Sequence, residues 1–278
     1  MTAEAASTDL EALELELLTE GIYRHYGLDF RHYAVASLRR RVWGRVQAEK
    51  LTTITGLLER VLHDRDAMER LLTHLSINVT AMFRDPTFYR AFRDKVVPTL
   101  RSHPFIRIWH VGCSTGEEVY SMAILLEEAG LYDRARLYAT DMNETVLQQA
   151  RKGIFAMNVM DEYARNYQLA GGERSLSDYY LTRYDYAMFH QSLRRNIVFA
   201  HHNLATDGSF NEFNVIVCRN VMIYFDRTLQ GSVHRLFYSS LRRFGVLALG
   251  RKESLRGTPH EHDYEEIDPV EKLFRRQA

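Results

Sequence analysis

The run Gly112-Cys113-Ser114-Thr115-Gly116-Glu117-Glu118 puts two glycines and two adjacent carboxylates within seven residues. A glycine-bearing turn between a strand and a helix N-terminus lets backbone pass close to a ligand, and such loops serve dinucleotides, triphosphates and S-adenosylmethionine alike. The flanking residues narrow the choice. Two carboxylates at a helix start would repel a pyrophosphate and welcome an ammonium group such as that of a methionine moiety. A phosphate loop would need Gly-Lys-Ser/Thr here, and the run has no lysine. Asp141 follows Gly116 by 25 residues, at the expected end of the next strand, where an acidic side chain can accept hydrogen bonds from ribose hydroxyls. Taken singly, Glu117 and Asp141 would equally suit a helix first turn and an N-cap; their joint spacing favours a cofactor site.

A second group of residues bears on the acceptor. Amino-group methyltransferases commonly end the corresponding later strand in Asp/Asn-Pro-Pro-aromatic, whose carbonyls hold an amine. Here the strand ends Cys218-Arg219-Asn220-Val221, which points away from nitrogen and toward an acceptor that welcomes a nearby cation, such as a carboxylate. Cys113 and Cys218 flank this site without cysteine or histidine partners at metal-ligand spacing, and His201-His202 and His260-Glu261-His262 are equally bare, so no metal is expected.

These residues need elements to position them. Residues 1–84 read as helical, with Leu10, Leu13, Leu17 and Leu18, then Leu57, Leu58, Val61 and Leu62, then Met68, Leu71, Leu72 and Leu75 at helical spacing. Asp85-Pro86 should open a further helix, the carboxylate capping and proline at the first helical position. From Ile106 strands and helices alternate: 106–111, 136–140, 196–201, 214–218 and 246–249 as strands, and 117–129, 144–152 and 227–244 as helices. That alternation predicts an α/β fold with a parallel sheet covered by helices, occupying residues 85–278. A span of about 160–196, with Gly171-Gly172 and six tyrosines from Tyr163 to Tyr186, interrupts it and reads as a small aromatic β insertion. The tail around Tyr264 and Leu273-Phe274 suits a closing antiparallel hairpin.

The 278 residues, 46% hydrophobic and 26% charged, suit a globular protein with a substantial core. Thirty-six basic residues balance 36 acidic ones, so no overall field draws the chain to nucleic acid or to an anionic membrane. Two cysteines and no apolar N-terminal segment favour a cytoplasmic protein, and no apolar run approaches the ~20 residues of a membrane span.

Together, Thr80-Ala81-Met82-Phe83-Arg84, Gly112 to Glu118, Asp141, Asn203-Leu204 and the run from Cys218 to Phe225 resemble the CheR family of chemoreceptor glutamate methyltransferases. The resemblance covers nearly the whole chain. It implies a helical N-terminal domain, then a Rossmann-like methyltransferase domain with a small inserted β-subdomain, and S-adenosylmethionine as cofactor. It also implies contacts to cofactor or product from Asn78, Thr80, Arg84, Gly112, Glu118, Asp141, Asn203, Leu204, Arg219 and Asn220, with Arg84 and Tyr224 facing the methyl-transfer centre. Met82 stands where the family usually has phenylalanine, and Gly250-Arg251-Lys252-Glu253 where a Gly-His-Ser-Glu-like run is more usual. Both departures suggest a divergent branch.

The implied partner is the acidic helical region of a chemoreceptor. Residues 1–20 hold six acidic and no basic side chains, whereas 21–50 hold seven basic and two acidic. Arg41 and Arg45 lie one helical turn apart beside Arg39 and Arg40, so these four form either a docking stripe or a plain solvated face. The tyrosine-rich insertion could pair its edge with an extended receptor tail or simply pack aromatic strands. Other functions consistent with the residues are methylation of a small molecule or RNA by the same fold, and non-catalytic binding of S-adenosylmethionine as a signal.

Overall fold

The computed structural model describes residues 3–76 and 80–278, with side chains of the first helix described from residue 9. Asn78 lies outside the described residues. The chain divides into two compact units, Met1–Ile77 with Tyr224–Gln230, and Asn78–Ile223 with Gly231–Ala278.

Among the described residues, four whole helices lie in the first unit: α1 (Ala3–Tyr26), α2 (Val35–Ala48), α3 (Ile54–His63) and α4 (Arg65–Leu75). Side-chain caps start the last two, since Thr53 Oγ1 accepts from Gly56 N at 3.0 Å and Asp64 from Asp66 N at 2.9 Å. Leu15, Leu18 and Ile22 of α1 are buried, whereas Leu10, Leu13 and Leu17 are 59%, 50% and 47% exposed. The leucine spacing identifies a helix but not its inner face, because both faces of α1 are apolar. Backbone bonds explain why Tyr224–Gln230 counts with these helices: Ala34 N donates to Tyr224 O and Asp226 N to His32 O, each at 2.8 Å, and Tyr33 bridges Phe225.

The second unit opens with α5 (Pro86–Ala91), a π-helical turn over Phe92–Val96, and α6 (Val97–Leu100). Then follow β1 (Ile106–Val111), α7 (Glu117–Glu128), β2 (Ala135–Asp141) and α8 (Glu144–Lys152). Next come β3 (Ile154–Ala156), α9 (Met160–Leu169), β4 (Tyr180–Arg183), β5 (Tyr186–Phe189), α10 (Gln191–Arg194) and β6 (Ile197–His201). The chain ends with β7 (Phe213–Cys218), α11 (Arg227–Ser240), β8 (Leu241–Leu249), β9 (Tyr264–Asp268) and β10 (Leu273–Arg276).

Seven strands form one sheet in the order β6-β2-β1-β7-β8-β10-β9. The first five run parallel, and β10 is antiparallel to both β8 and β9, which gives the expected closing hairpin. The strand order reverses direction at β1, so the carboxyl ends of β1, β2 and β7 sit side by side. Ligands of open α/β sheets bind at such a switch point. Trp109 anchors the centre of β1, fully buried, stacked on Phe213 and donating Nε1–H to Thr140 Oγ1 at 2.8 Å.

Three expectations need correction. The insertion is a three-stranded sheet, β3-β5-β4, that takes in residues ahead of the 160–196 span, and its Tyr163 and Tyr167 lie on helix α9 rather than on strands. Helix α11 stops at Ser240, and the residues after it extend β8. Pro86 does open α5, but Asp85 makes no side-chain cap; it adopts a left-handed φ of 55° and turns its carboxylate elsewhere.

Candidate active site

The loop after β1 is shaped by glycine. Gly112 has φ 67°, and a Cβ there would lie 2.6 Å from Val221 Cγ2, so both conformation and space exclude a side chain. Gly112 is exposed although its neighbours Val111, Cys113 and Ser114 are buried. Behind it, Asp141 accepts the backbone N–H of Ser114 and of Asn143, each at 3.0 Å, tying the β1 and β2 loops together. Burial pushes the Asp141 carboxyl upward, while these backbone donors and that of Met142 work against it. A carboxylate has about four acceptor positions, so capacity remains for a ribose.

The two carboxylates at the start of α7 diverge. Glu118 Oε1 lies 3.0 Å from His110 Nδ1 and its Oε2 3.3 Å from Arg219 Nη1. Burial alone would raise the Glu118 carboxyl, but His110 and Arg219 outweigh it and hold the group below the usual range. Glu117 is buried, accepting from Thr115 Oγ1 at 2.7 Å and facing the Tyr163 hydroxyl of α9 at 3.4 Å, and burial holds its carboxyl above the usual range. Glu118 is therefore the fixed negative charge.

Arg219, whose side chain is 2% exposed, is the hub. Nη2 meets Asp85 Oδ2 at 2.7 Å, both terminal nitrogens donate to the Arg84 carbonyl at 3.3 Å, and the guanidinium lies 4.0 Å over the Phe88 ring. This corrects the reading of Arg219 as a cation for the acceptor: its charge is already shared by two carboxylates. Asn220 beside it has φ 62°. Glu253 receives four backbone N–H groups, from Gly250 (2.6 Å), Asn220 (3.1 Å), Val221 (2.9 Å) and Met222 (2.8 Å).

Asn203 is buried, its N–H on Asp207 Oδ2 at 2.9 Å and its Oδ1 accepting Ala205 N at 3.0 Å, while its Nδ2 has no protein partner. Leu204, Thr80 and Arg84 are each partly exposed. The second unit thus links Gly112 with Asp141 through Ser114, and Arg84 with Glu118 through Arg219. This set fits S-adenosylmethionine: a side-chain-free exposed backbone at Gly112, a retained charge at Glu118 for an ammonium, a remaining acceptor position on Asp141, and an unpartnered buried donor on Asn203.

Tyr224 belongs to the helical unit, where the Arg41 guanidinium lies 4.6 Å over its ring. The four arginines of α2 do not form one exposed stripe. Arg41 is buried and donates to the Leu75 carbonyl, Arg45 is largely covered and pairs with Glu49, and Arg39 pairs with Glu11; Arg39 and Arg40 are exposed. A basic run cannot reveal this, because residues on successive positions of a helix point about 100° apart.

Sequence reasoning missed His110, Asp85 and Phe88, and noted Glu253 only as part of an unusual run. A histidine next to the last residue of β1, just before the glycine loop, was the available signal for His110. Asp85 was hidden by a sound local explanation, the helix cap.

Comparison with known proteins agrees with this geometry. Residues 13–76 match the family described as CheR methyltransferase, all-alpha domain, and residues 78–270 that described as CheR methyltransferase, SAM binding domain. The Pseudomonas putida protein Cher3 is 46% identical over 276 residues, covering 99% of this chain and 100% of that protein. A chemotaxis protein methyltransferase of Listeria monocytogenes is 30% identical over 239 residues (85% of this chain, 88% of that one). Chemotaxis protein methyltransferase 2 of Pseudomonas aeruginosa is 27% identical over 255 residues (89% and 88%). With the matched families spanning most of its length, the chain belongs to the CheR methyltransferases, and its cofactor is S-adenosylmethionine.

Proposed function

We propose that the protein methylates glutamate side-chain carboxylates of a chemoreceptor-like protein, forming methyl esters. The observation that carries this reading is the Arg219 hub, which ties the turn bearing Arg84 to the cofactor-facing carboxylate Glu118. S-adenosylmethionine supplies a methyl group on a positively charged sulfur. A glutamate acceptor is ionised at neutral pH, its reference pKa being about 4.3, so the protein has no proton to remove. Transfer cancels opposite charges, and the protein's task is to align the partners and keep water out.

Arg84, which the family resemblance places at the methyl-transfer centre, is the cation assigned to the incoming carboxylate. It must steer rather than clamp, because a tight arginine pair would blunt the nucleophile. Gly112, Asp141 and Asn203 would hold the nucleoside part and Glu118 the ammonium. Tyr224 is the second catalytic candidate, and its Tyr224→Phe variant belongs in the same assay. Docking of an acidic helical partner falls to the exposed Arg39 and Arg40, whose reversal to glutamate should raise the acceptor KM.

The test is to incubate the protein with methyl-labelled cofactor and a receptor cytoplasmic fragment, then add mild base. Label released as methanol is the expected result. Base-stable label would mean another kind of acceptor, and no label would mean a binding module. Arg84→Ala should lose turnover by about 100-fold even at saturating cofactor, the scale for one charge-stabilising group. Wild-type turnover would remove Arg84 from the mechanism.

A further inference from the structure

Glu253 is 5% exposed and lies three residues after Gly250, at the end of β8. Each of its oxygens accepts two backbone N–H groups: Oε2 from Gly250 and Asn220, Oε1 from Val221 and Met222. Three of these donors are consecutive residues of the turn that follows β7. Asn220 holds a left-handed φ of 62° there. Such a conformation in a non-glycine residue is strained and persists only where surroundings enforce it. Gly250 leaves the space, since a Cβ on it would stand 2.7 Å from Glu253 Oε2 and 2.9 Å from Asn220 N.

We infer that Glu253 is a positioning residue for cofactor binding, holding the Asn220-Val221-Met222 backbone so that Arg219 and Asn220 present the geometry that receives S-adenosylmethionine. The inference rests on the cofactor roles proposed for Arg219 and Asn220. Its chemistry is specific to a charged carboxylate. In Glu253→Gln the side chain keeps its size, but whichever oxygen becomes an amide nitrogen then points hydrogens at two N–H donors, so two bonds are lost and two donors are opposed. In Glu253→Asp the charge survives and the reach shortens by one methylene, so some of the four bonds survive.

The experiment is calorimetric titration of the full chain with S-adenosylhomocysteine, which needs no acceptor. The expected order of Kd is wild type, then Asp at about threefold weaker, then Gln at tenfold or more, the latter about 1.4 kcal/mol. A merely structural role would lower the bindable fraction and leave Kd unchanged. Wild-type Kd for Glu253→Gln overturns the inference, as does Gln binding more tightly than Asp, which would make shape rather than charge decisive. Should Glu253→Gln fail to fold, wild-type Kd for Glu253→Asp overturns it equally. Asn220→Ala separates the two levels: weakened binding there beside wild-type affinity in Glu253→Gln removes Glu253 alone, whereas unchanged binding in Asn220→Ala removes the cofactor role of Asn220 and the inference with it.

Discussion

The first turn of α7 has two faces, and adjacent glutamates on them have opposite fates. On one face Glu118 meets His110 and Arg219 and is held ionised; on the other Glu117 is buried against Thr115 and the α9 tyrosine Tyr163 and is pushed toward protonation. Both residues feel the same positive helix end. About 100° of helical rotation separates them, and that rotation decides which carboxylate can receive a cationic ligand. Glu118 is the carboxylate proposed to meet the cofactor, while Glu117 joins α7 to the insertion, where Asn166 of α9 also donates to the Met82 carbonyl at 3.2 Å.

The comparison breaks most visibly at Arg219. Arg219→Ala leaves Asp85 and Glu118 without their shared buried partner, and removing one side of a buried ion pair costs about 3–5 kcal/mol. Urea unfolding should show that loss, and adding Glu118→Gln should restore part of it, since the two sites are coupled. A wild-type unfolding midpoint for Arg219→Ala would mean that the hub does not hold the Glu118 face.

A smaller effect tests which glutamate meets the ligand. Loss of a charge-assisted bond of about 1.5–3 kcal/mol predicts that Glu118→Gln weakens S-adenosylhomocysteine binding roughly 10- to 100-fold. Glu117→Gln should change it less than about threefold. Equal losses in the two variants would show that the faces are not functionally distinct.

The sheet could be read in the sequence because strands of period two and helices of period 3.6 alternate from Ile106 onward, and the loop because glycine and paired carboxylates have few other uses together. What could not be read is orientation. Glu117-Glu118 and Arg39-Arg40-Arg41 are each uniform in sequence, yet Arg41 is buried under the Leu75 carbonyl while Arg40 is exposed. Asp85 and Glu253 act on residues 134 and 33 positions away, at Arg219 and Asn220, distances at which no local pattern operates. The leucines of α1 failed to identify its core face for the same reason: spacing fixes relative direction, not what lies opposite.

The smallest predicted effect is also the most specific to the comparison. Glu117 has its folded-state pKa raised, chiefly by burial, so the folded state binds its proton more tightly than the unfolded state does. Its contribution to stability is full below the ordinary carboxylate pKa and is lost as pH rises through the raised value. Glu117→Gln has no such loss, so the thermal midpoint of this variant, measured against wild type, should climb as pH rises from the ordinary carboxylate pKa through the raised value and then level off. Glu118 has its folded pKa lowered by His110 and Arg219 against burial. Its contribution is present above the ordinary value and fades as pH falls through the lowered one, so Glu118→Gln should look worst at neutral pH and recover relative to wild type in acid. The midpoint differences of two neighbouring isosteric substitutions would then run in opposite directions, Glu117→Gln gaining on wild type as pH rises through the raised value and Glu118→Gln gaining as pH falls through the lowered one. Parallel pH profiles would show that both carboxylates share one environment and that rotation about α7 does not divide their roles.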